Sequence, residues 1–303
     1  MASSKASLLE SIKQEGRVGL AHALSMLEEA PESDKALVLL TEAWRVQKAH
    51  NIGLTGTPGV GKSTLAGALV REWRGQGKTV GVLAVDPSSR LTGGALLGDR
   101  ARIVSQTDDD GVFVRSMAAG RHPGGLAETT TAAATLMGAF FDKVVVESVG
   151  VGQSESDIAD MSDTLVLCIQ PGAGDKLQFM KAGIMELSHI IAVTKSDMGD
   201  VAHHALSDVA VHMGQAVGPF SVSAQHGEGV DALAEVIDAH YSDLVSSNQL
   251  VSLRHVQACR RLEVTIKVRF GEEALKKAGA LLALEEGHSP FSAMAHIMRK
   301  MEA

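Results

Sequence analysis

The residues best suited to phosphate chemistry lie between positions 56 and 64. This stretch reads Gly-Thr-Pro-Gly-Val-Gly-Lys-Ser-Thr and matches the pattern G-x-x-x-x-G-K-[ST]. Glycines allow a tight loop whose backbone N–H groups surround an anion, and a helix N-terminus adds partial positive charge. The pattern predicts a nucleoside-triphosphate site in which the lysine reaches the β- and γ-phosphates and the serine hydroxyl binds Mg²⁺. The predicted phosphate-binding residues are Gly56, Thr57, Pro58, Gly59, Val60, Gly61, Lys62, Ser63 and Thr64.

Three carboxylates could complete a Mg²⁺ site beside Ser63. Asp86 and Glu147 each end an apolar run, so both are expected at the carboxyl edge of a parallel sheet, where ligands bind. Asp99 lies in a predicted loop. Because Mg²⁺ keeps several waters and takes only one or two carboxylates directly, the three cannot all be direct ligands. The candidate catalytic residues of this region are Lys62, Asp86 and Glu147.

A second group of residues is suited to recognising a base. Residues 194–197 read Thr-Lys-Ser-Asp and resemble the N-K-x-D element of GTPases, with Thr194 in place of the usual asparagine. The carboxylate of Asp197 can accept two parallel hydrogen bonds from guanine, a donor pair that adenine does not offer. Residues 223–225 resemble the S-A-x element, whose backbone N–H meets the guanine carbonyl. We therefore predict GTP rather than ATP, bound by Thr194, Lys195, Asp197, Ser223, Ala224 and Gln225.

The elements that must position these residues follow an α/β pattern. Short apolar runs without alternation, most followed by a helical pattern, are typical of a mostly parallel sheet with helices on both faces. The predicted strands are Ile52–Thr55, Val80–Val85, Val112–Arg115, Lys143–Glu147, Thr164–Ile169, Ile190–Val193 and Phe220–Ser223. The predicted helices between them include Lys62–Arg74, Gly125–Phe141, Leu177–Leu187 and Val230–Val245.

Both ends of the chain read as helical. Residues 5–48 show helical apolar spacing that is broken near Pro31, and from position 249 onward the pattern is helical and charged. We predict a P-loop domain over residues 49–248, an N-terminal helical extension at 1–48 and a C-terminal helical arm at 249–303.

Composition narrows the classes of partner. The chain has 303 residues and a formal net charge of −8, which argues against a nucleic-acid-binding protein and against binding to an anionic membrane surface. Its two cysteines, Cys168 and Cys259, are far apart and in no metal-ligand spacing, and Cys168 lies in an apolar run where a buried thiol is expected. Without an apolar run near ~18 residues or a signal core at the N-terminus, the sequence favours a cytoplasmic protein.

Several further stretches resemble the MeaB/ArgK/MMAA family of P-loop GTPases. They occur in the family's order within residues 50–237 and are residues 85–89 (Val-Asp-Pro-Ser-Ser), 97–99 (Leu-Gly-Asp), 114–117 (Val-Arg-Ser-Met), 124–127 (Gly-Gly-Leu-Ala), 147–155 (Glu-Ser-Val-Gly-Val-Gly-Gln-Ser-Glu) and 171–175 (Pro-Gly-Ala-Gly-Asp). The family consists of G-protein chaperones of adenosylcobalamin-dependent acyl-CoA mutases. The resemblance implies a homodimer and Mg²⁺ shared among Ser63, Asp86, Asp99 and Glu147.

The resemblance also implies a purpose and a switch. GTP hydrolysis would gate adenosylcobalamin delivery to, and protection of, a methylmalonyl-CoA mutase or a related isobutyryl- or 2-hydroxyisobutyryl-CoA mutase. Residues 171–181 match the family's extra switch, so Asp175 and Lys181 are candidates for the signal to the mutase. Gln153 is the nearest candidate by chain position to orient the attacking water, and Arg115 or Arg121 could reach phosphates only if their loops fold inward. Because no residue is marked as a general base, slow intrinsic hydrolysis is expected.

Two other functions stay open on the sequence alone. A nickel-insertion GTPase would need a histidine tract or a Cys/His pair on a loop, whereas His203 and His204 read as a pair on a helix surface. A P-loop small-molecule kinase would need a lid with arginines and would not need Asp197. Nucleotide preference and metal titration separate the three functions.

Overall fold

A seven-stranded parallel sheet forms the centre of the protein, with strand order β3-β2-β4-β1-β5-β6-β7. The computed structural model describes residues 7–86, 109–118, 125–148, 154–172, 183–212, 214–282, 284–285 and 287–302. The strands are β1 (His50–Thr55), β2 (Val80–Asp86), β3 (Val112–Ala118), β4 (Lys143–Glu147), β5 (Thr164–Ile169), β6 (Ile190–Val193) and β7 (Val217–Ser221). The predicted α/β fold with a parallel sheet is therefore confirmed.

Helices cover both faces of this sheet, and further helices precede it and follow it in the sequence. Within the described residues they are α1 (Leu8–Glu29), α2 (Asp34–Val46), α3 (Lys62–Gly75), α4 (Gly125–Gly138), α5 (Ser154–Ala159), α6 (Ile184–Leu187), α7 (Asp200–Ala210), α8 (Val230–Ser246), α9 (Gln249–Phe270), α10 (Glu272–Ala278) and α11 (Pro290–Glu302). The first two are separated at Pro31, and each begins at a serine whose side chain accepts a backbone N–H of the first turn. The predicted N-terminal helical extension and its break are confirmed.

Most predicted bounds agree with the structure, and the exceptions have physical reasons. Strand β7 begins at Val217 rather than at the predicted Phe220, and it can contain Pro219 because it is an edge strand, where proline is tolerated. It ends early because the Ser223 N–H turns to the Glu228 carbonyl. Helix α4 ends at Gly138 rather than at residue 141. Of the helix predicted over 177–187, residues 177–182 lie outside the described residues.

The central strands β1, β4, β5 and β6 are buried on both faces, which explains their uninterrupted apolar sequences, whereas the edge strand β7 is partly exposed. Val144 and Val146 of β4 join a core cluster with α1, α2 and α4, whereas Val145 joins a second cluster with α3 and α8. Helix α9 is fixed to the sheet by Arg254, and α9, α10 and α11 share a small apolar cluster of their own around Ile266. No helix in the described ranges is both long and apolar enough to cross a membrane.

Candidate functional site

The predicted phosphate loop connects β1 to α3 at the carboxyl edge of the sheet. Its glycines adopt backbone angles that other residues rarely do, with φ of 138° at Gly56 and 104° at Gly61. A Cβ atom at Gly56 would lie 2.3 Å from the carbonyl oxygen of Cys168, so β5 packs against the start of the loop. The loop therefore needs these glycines for its shape and for its close contact with the neighbouring strand.

Lys62 is buried and folds back over this loop. Its side chain is only 5% exposed, and its Nζ donates to the carbonyl oxygens of Gly56 at 2.8 Å and Thr57 at 3.2 Å. Carbonyl oxygens of the phosphate loop thus hold the ammonium group above the loop. This position is the one that a phosphate-binding lysine of a P-loop requires.

Ser63 and Glu147 meet at the same edge, as the sequence predicted. The Ser63 hydroxyl donates to Glu147 Oε1 at 2.6 Å, and both residues are buried. Glu147 pairs with Leu54 on β1 and with Ala84 on β2, so it lies directly beside the strand that leads into the phosphate loop. A hydroxyl and a carboxylate are oxygen donors of the kind that Mg²⁺ takes, so the donor set fits this ion.

The other predicted metal and switch residues are described only in part. Strand β2 ends at Asp86, at the same sheet edge as Glu147. Glu147 pairs with Ala84 of β2, and Asp86 follows Ala84 by two residues. The predicted residues Asp99, Arg121, Gln153, Asp175 and Lys181 lie outside the described residues. Among the residues that are described, no group of three or more His, Cys, Asp or Glu side chains could hold a metal ion.

Thr194 connects the predicted base loop to the phosphate loop. Its hydroxyl donates to the Val60 carbonyl at 2.7 Å and lies 3.3 Å from the Ile169 carbonyl. A threonine is shorter than the usual asparagine, yet here its hydroxyl reaches the backbone of the phosphate loop. Thr194 therefore connects the two loops directly.

Lys195 makes two more contacts from the base loop. Its backbone is left-handed, with φ of 54°, and its Nζ donates to the Gly59 carbonyl at 2.8 Å and to Gln170 Oε1 at 2.7 Å. Gln170 was not among the predicted site residues. Its only signal in the sequence is its place directly after β5, at the edge where ligands bind.

Asp197 is exposed, and a hydrogen bond from Ser223 holds its carboxylate in place. The Ser223 hydroxyl donates to Asp197 Oδ1 at 2.7 Å, and this bond is the main reason that the pKa of Asp197 is lowered from its usual value. The Ser196 N–H donates to the Val222 carbonyl at 3.2 Å. The two predicted base-binding segments, 194–197 and 223–225, are therefore in direct contact, with Ala224 buried and Gln225 exposed.

The structure also describes three further predicted features. Arg115 does not face the phosphate loop, because its guanidinium donates to the Glu28 carboxylate and to the Ser25 hydroxyl of α1. Cys168 is fully buried, as predicted, and burial raises the pKa of its thiol to about 12. His203 and His204 are exposed on α7, also as predicted.

Comparison with known proteins gives consistent matches. The family model described as methylmalonyl-CoA mutase-associated GTPase MeaB matches residues 20–278. A Pyrococcus horikoshii protein named "Putative GTPase" is 36% identical over an alignment of 314 positions that spans 97% of each chain. The mitochondrial methylmalonic aciduria type A homolog of Mus musculus is 33% identical over 266 positions, which cover 80% of this chain and 64% of that protein.

The fold also matches a solved structure along its whole length. That structure, described as a LAO/AO transport system kinase, superposes with a TM-score of 0.66 at 24% identity and covers 100% of both chains. At this identity the match concerns the fold alone.

Proposed function

Because the chain belongs to the MeaB family of methylmalonyl-CoA mutase-associated GTPases, we propose that it is a GTP-driven chaperone of an adenosylcobalamin-dependent acyl-CoA mutase. One observation supports the guanine-nucleotide part most strongly. The phosphate loop, residues 194–197 and residues 223–225 are joined by direct hydrogen bonds at one sheet edge. One ligand that carries both a triphosphate and a base could contact all three segments at once.

The proposed hydrolytic role of the phosphate loop follows from charge and position. The loop N–H groups and the N-terminus of α3 would bind the β-phosphate, and Lys62 would leave its backbone acceptors to neutralise the β- and γ-phosphate oxygens. In phosphoryl transfer most of the rate comes from such positioning and charge stabilisation, because the protein does little covalent chemistry. Lys62 is therefore the residue whose loss should matter most.

The Mg²⁺ site would be formed by Ser63 and Glu147, with Asp86 or Asp99 as further carboxylates. When bound, Mg²⁺ neutralises charge on the phosphate oxygens and orients them for transfer. In the structure the Ser63 hydroxyl donates to Glu147 and is therefore already directed toward the carboxylate side of the phosphate loop. Gln153 is proposed to orient the attacking water.

Nucleotide state would act on the mutase through segments that begin at this edge. Strands β2 and β4 end at Asp86 and Glu147, and these two residues lie in the family-specific stretches 85–89 and 147–155. A γ-phosphate that orders such segments, and hydrolysis that releases them, provides two states with different contacts. We assign residues 171–181, with Asp175 or Lys181, to the signal that reaches the mutase.

The proposed assembly is a cytoplasmic homodimer that uses the C-terminal arm. Helix α9 exposes Val256, Val264 and Val268, of which the last two lie one turn apart on the same side of the helix. Their exposed fractions of 45–51% leave an apolar surface for a second copy. Both cysteines are free thiols, consistent with a reducing compartment.

The mutase proposal can be tested with purified components. Immobilised methylmalonyl-CoA mutase would be incubated with the chain and a non-hydrolysable GTP analogue, GDP or no nucleotide, and single-turnover GTP hydrolysis would be timed with and without mutase. We expect retention to depend on the nucleotide and hydrolysis to accelerate with mutase. Equal retention in all states together with an unchanged rate would contradict the proposal. A separate titration of the chain with Ni²⁺ that shows tight binding would instead favour a metal-insertion GTPase.

A further inference from the structure

Lys195 combines a strained backbone with an unusual pair of contacts. Its φ of 54° lies in the left-handed region, which a non-glycine residue rarely adopts. Its ammonium is held by two oxygens from different elements, the Gly59 carbonyl in the phosphate loop and Gln170 Oε1 at the end of β5. The side chain thus spans the base loop, the phosphate loop and β5.

Of these two acceptors, the Gly59 oxygen belongs to the backbone and the Gln170 oxygen to a side chain, so a mutation can remove only the second without changing the backbone. It is half-buried, directly follows the buried residue Ile169, and its amide oxygen lies 2.7 Å from Lys195 Nζ. A hydrogen bond to a charged group is stronger than one between neutral groups, and it also fixes the direction of the long lysine stem. A stem fixed in this way can cover the face of a base without losing rotamer entropy on binding.

We propose that Gln170 is a positioning residue that holds Lys195 in the conformation that binds the guanine base. This inference rests on the proposed guanine-nucleotide site and adds a residue that the P-loop and N-K-x-D patterns do not contain. Gln170 would act only through Lys195. Its contribution should therefore be the same for GTP and GDP, because Lys195 lies in the base loop and its two acceptors are protein oxygens.

The test variant is Gln170→Met, which keeps the length of the side chain and removes the acceptor. We expect about three- to tenfold weaker binding of both GTP and GDP, since the lost bond is charge-assisted but half-exposed. In steady-state hydrolysis KM should rise by the same factor while kcat stays unchanged, as for an interaction equal in ground and transition states. Gln170→Glu retains an acceptor and should bind both nucleotides at least as tightly as the wild type.

Two controls separate positioning from general damage. Gln76→Met changes an exposed glutamine after α3 and should leave both affinities unchanged. In a Lys195→Met background, Gln170→Met should add no further loss, because its only route to the nucleotide is already gone. Gln170→Asn, whose amide is one methylene too short to reach Lys195, should repeat the loss and serves if the methionine variant does not fold.

The outcomes distinguish this inference from the proposed function. If the wild type itself shows no preference for GTP over ATP in calorimetry, the guanine assignment fails. If the wild type prefers GTP but Gln170→Met and Gln170→Asn bind it normally, only the role of Gln170 is overturned. A fall in kcat at unchanged KM, or a full additional loss in the Lys195→Met background, would also overturn it.

Discussion

The two edges of the central sheet use polar side chains in opposite ways. At the carboxyl edge, side chains bind the backbone of glycine-rich loops, and Asp197 remains exposed. At the amino edge, polar side chains bind one another in the interior. Strands β1 and β5 contribute to both edges, so the same two strands carry a ligand-binding end and a stabilising end.

The amino edge contains a buried ion pair and a histidine network. Asp163, only 1% exposed at its side chain, accepts two hydrogen bonds from Arg254, at 2.8 and 2.7 Å, and one from the Asn51 N–H. The Thr164 hydroxyl joins the rings of His50 at 2.7 Å and His240 at 2.8 Å. These contacts hold α8 and α9 to the sheet.

The comparison separates activity from stability. Changes at the carboxyl edge should reduce nucleotide binding or hydrolysis in a folded protein. Changes at the amino edge should reduce the free energy of unfolding while the folded fraction stays active. The four predictions that follow test this separation, beginning with the largest expected effect.

Lys62→Ala should lower the GTP hydrolysis rate by about 10³-fold or more, because it removes the main cation of the phosphate loop. Single-turnover measurements give the rate, and circular dichroism shows whether the helix content is retained. Lys78→Ala, at an exposed position before β2, is the matched control and should hydrolyse GTP normally. Hydrolysis by Lys62→Ala within threefold of the wild type would remove this residue from the site.

Asp163→Ala should lower the free energy of unfolding by about 3–5 kcal/mol, because it leaves the buried guanidinium of Arg254 without its carboxylate. Urea titration measures the loss. The exposed pair of Glu10 and Lys13 provides the control, since Glu10→Ala should cost at most about 1 kcal/mol. If folded Asp163→Ala protein loses GTP affinity, the two edges are not independent.

Asp197→Asn should weaken GTP binding by about 10- to 100-fold, because the amide replaces a charged acceptor with a group that carries a donor. The same variant should gain affinity for a xanthine nucleotide, which offers the complementary acceptor. Calorimetry with both nucleotides tests the exchange. Undiminished GTP affinity would contradict the guanine assignment.

Acidification should destabilise the amino edge first. The Nδ1 of His189 accepts the Leu165 N–H at 2.9 Å, so the ring must stay neutral there, and burial lowers its pKa to about 4. In the unfolded chain the histidine pKa is near ~6.5, so as the pH falls the unfolded state binds a proton before the folded state does. The contribution of neutral His189 to the free energy of unfolding is therefore fully present above pH ~6.5 and is lost as the pH falls toward about 4. The pKa values of His50 and His240 are also lowered by burial, so they act in the same direction.

The size of this effect is about 2 kcal/mol between pH 6.5 and 5 for His189 alone. Urea titration at the two pH values measures it, and His189→Gln should show a smaller difference. His204→Gln, an exposed substitution on α7, should leave the difference unchanged. An equal loss in wild type and His189→Gln would assign the acid sensitivity elsewhere.

The sequence predicted the parts of the site that follow from a local motif or from the position of a residue at the end of a strand. The phosphate loop, the ends of β4 and the contact between Ser63 and Glu147 follow from a motif and from strand ends that meet in a parallel sheet. Residue 194 departs from the usual asparagine, but the sequence could not show that its hydroxyl reaches Val60, 134 positions away.

Long-range contacts account for what the sequence did not predict. Gln170 carries no motif, and its role depends on where β5 and β6 place it relative to Lys195. Arg115 belongs to a family-specific stretch, yet the packing of α1 against β3 directs it to Glu28. The pairing of Asp163 with Arg254 spans 91 positions and has no local signal.

Hydrogen–deuterium exchange with a GTP analogue and Mg²⁺ tests the difference between the two edges most directly. We expect slower exchange at residues 56–64, 194–197 and 223–225, and unchanged exchange at residues 163–165 and 238–254. An ATP analogue at the same concentration should slow exchange far less. Equal protection by both nucleotides, or protection concentrated at the amino edge, would contradict the assignment of a guanine-nucleotide site to the carboxyl edge.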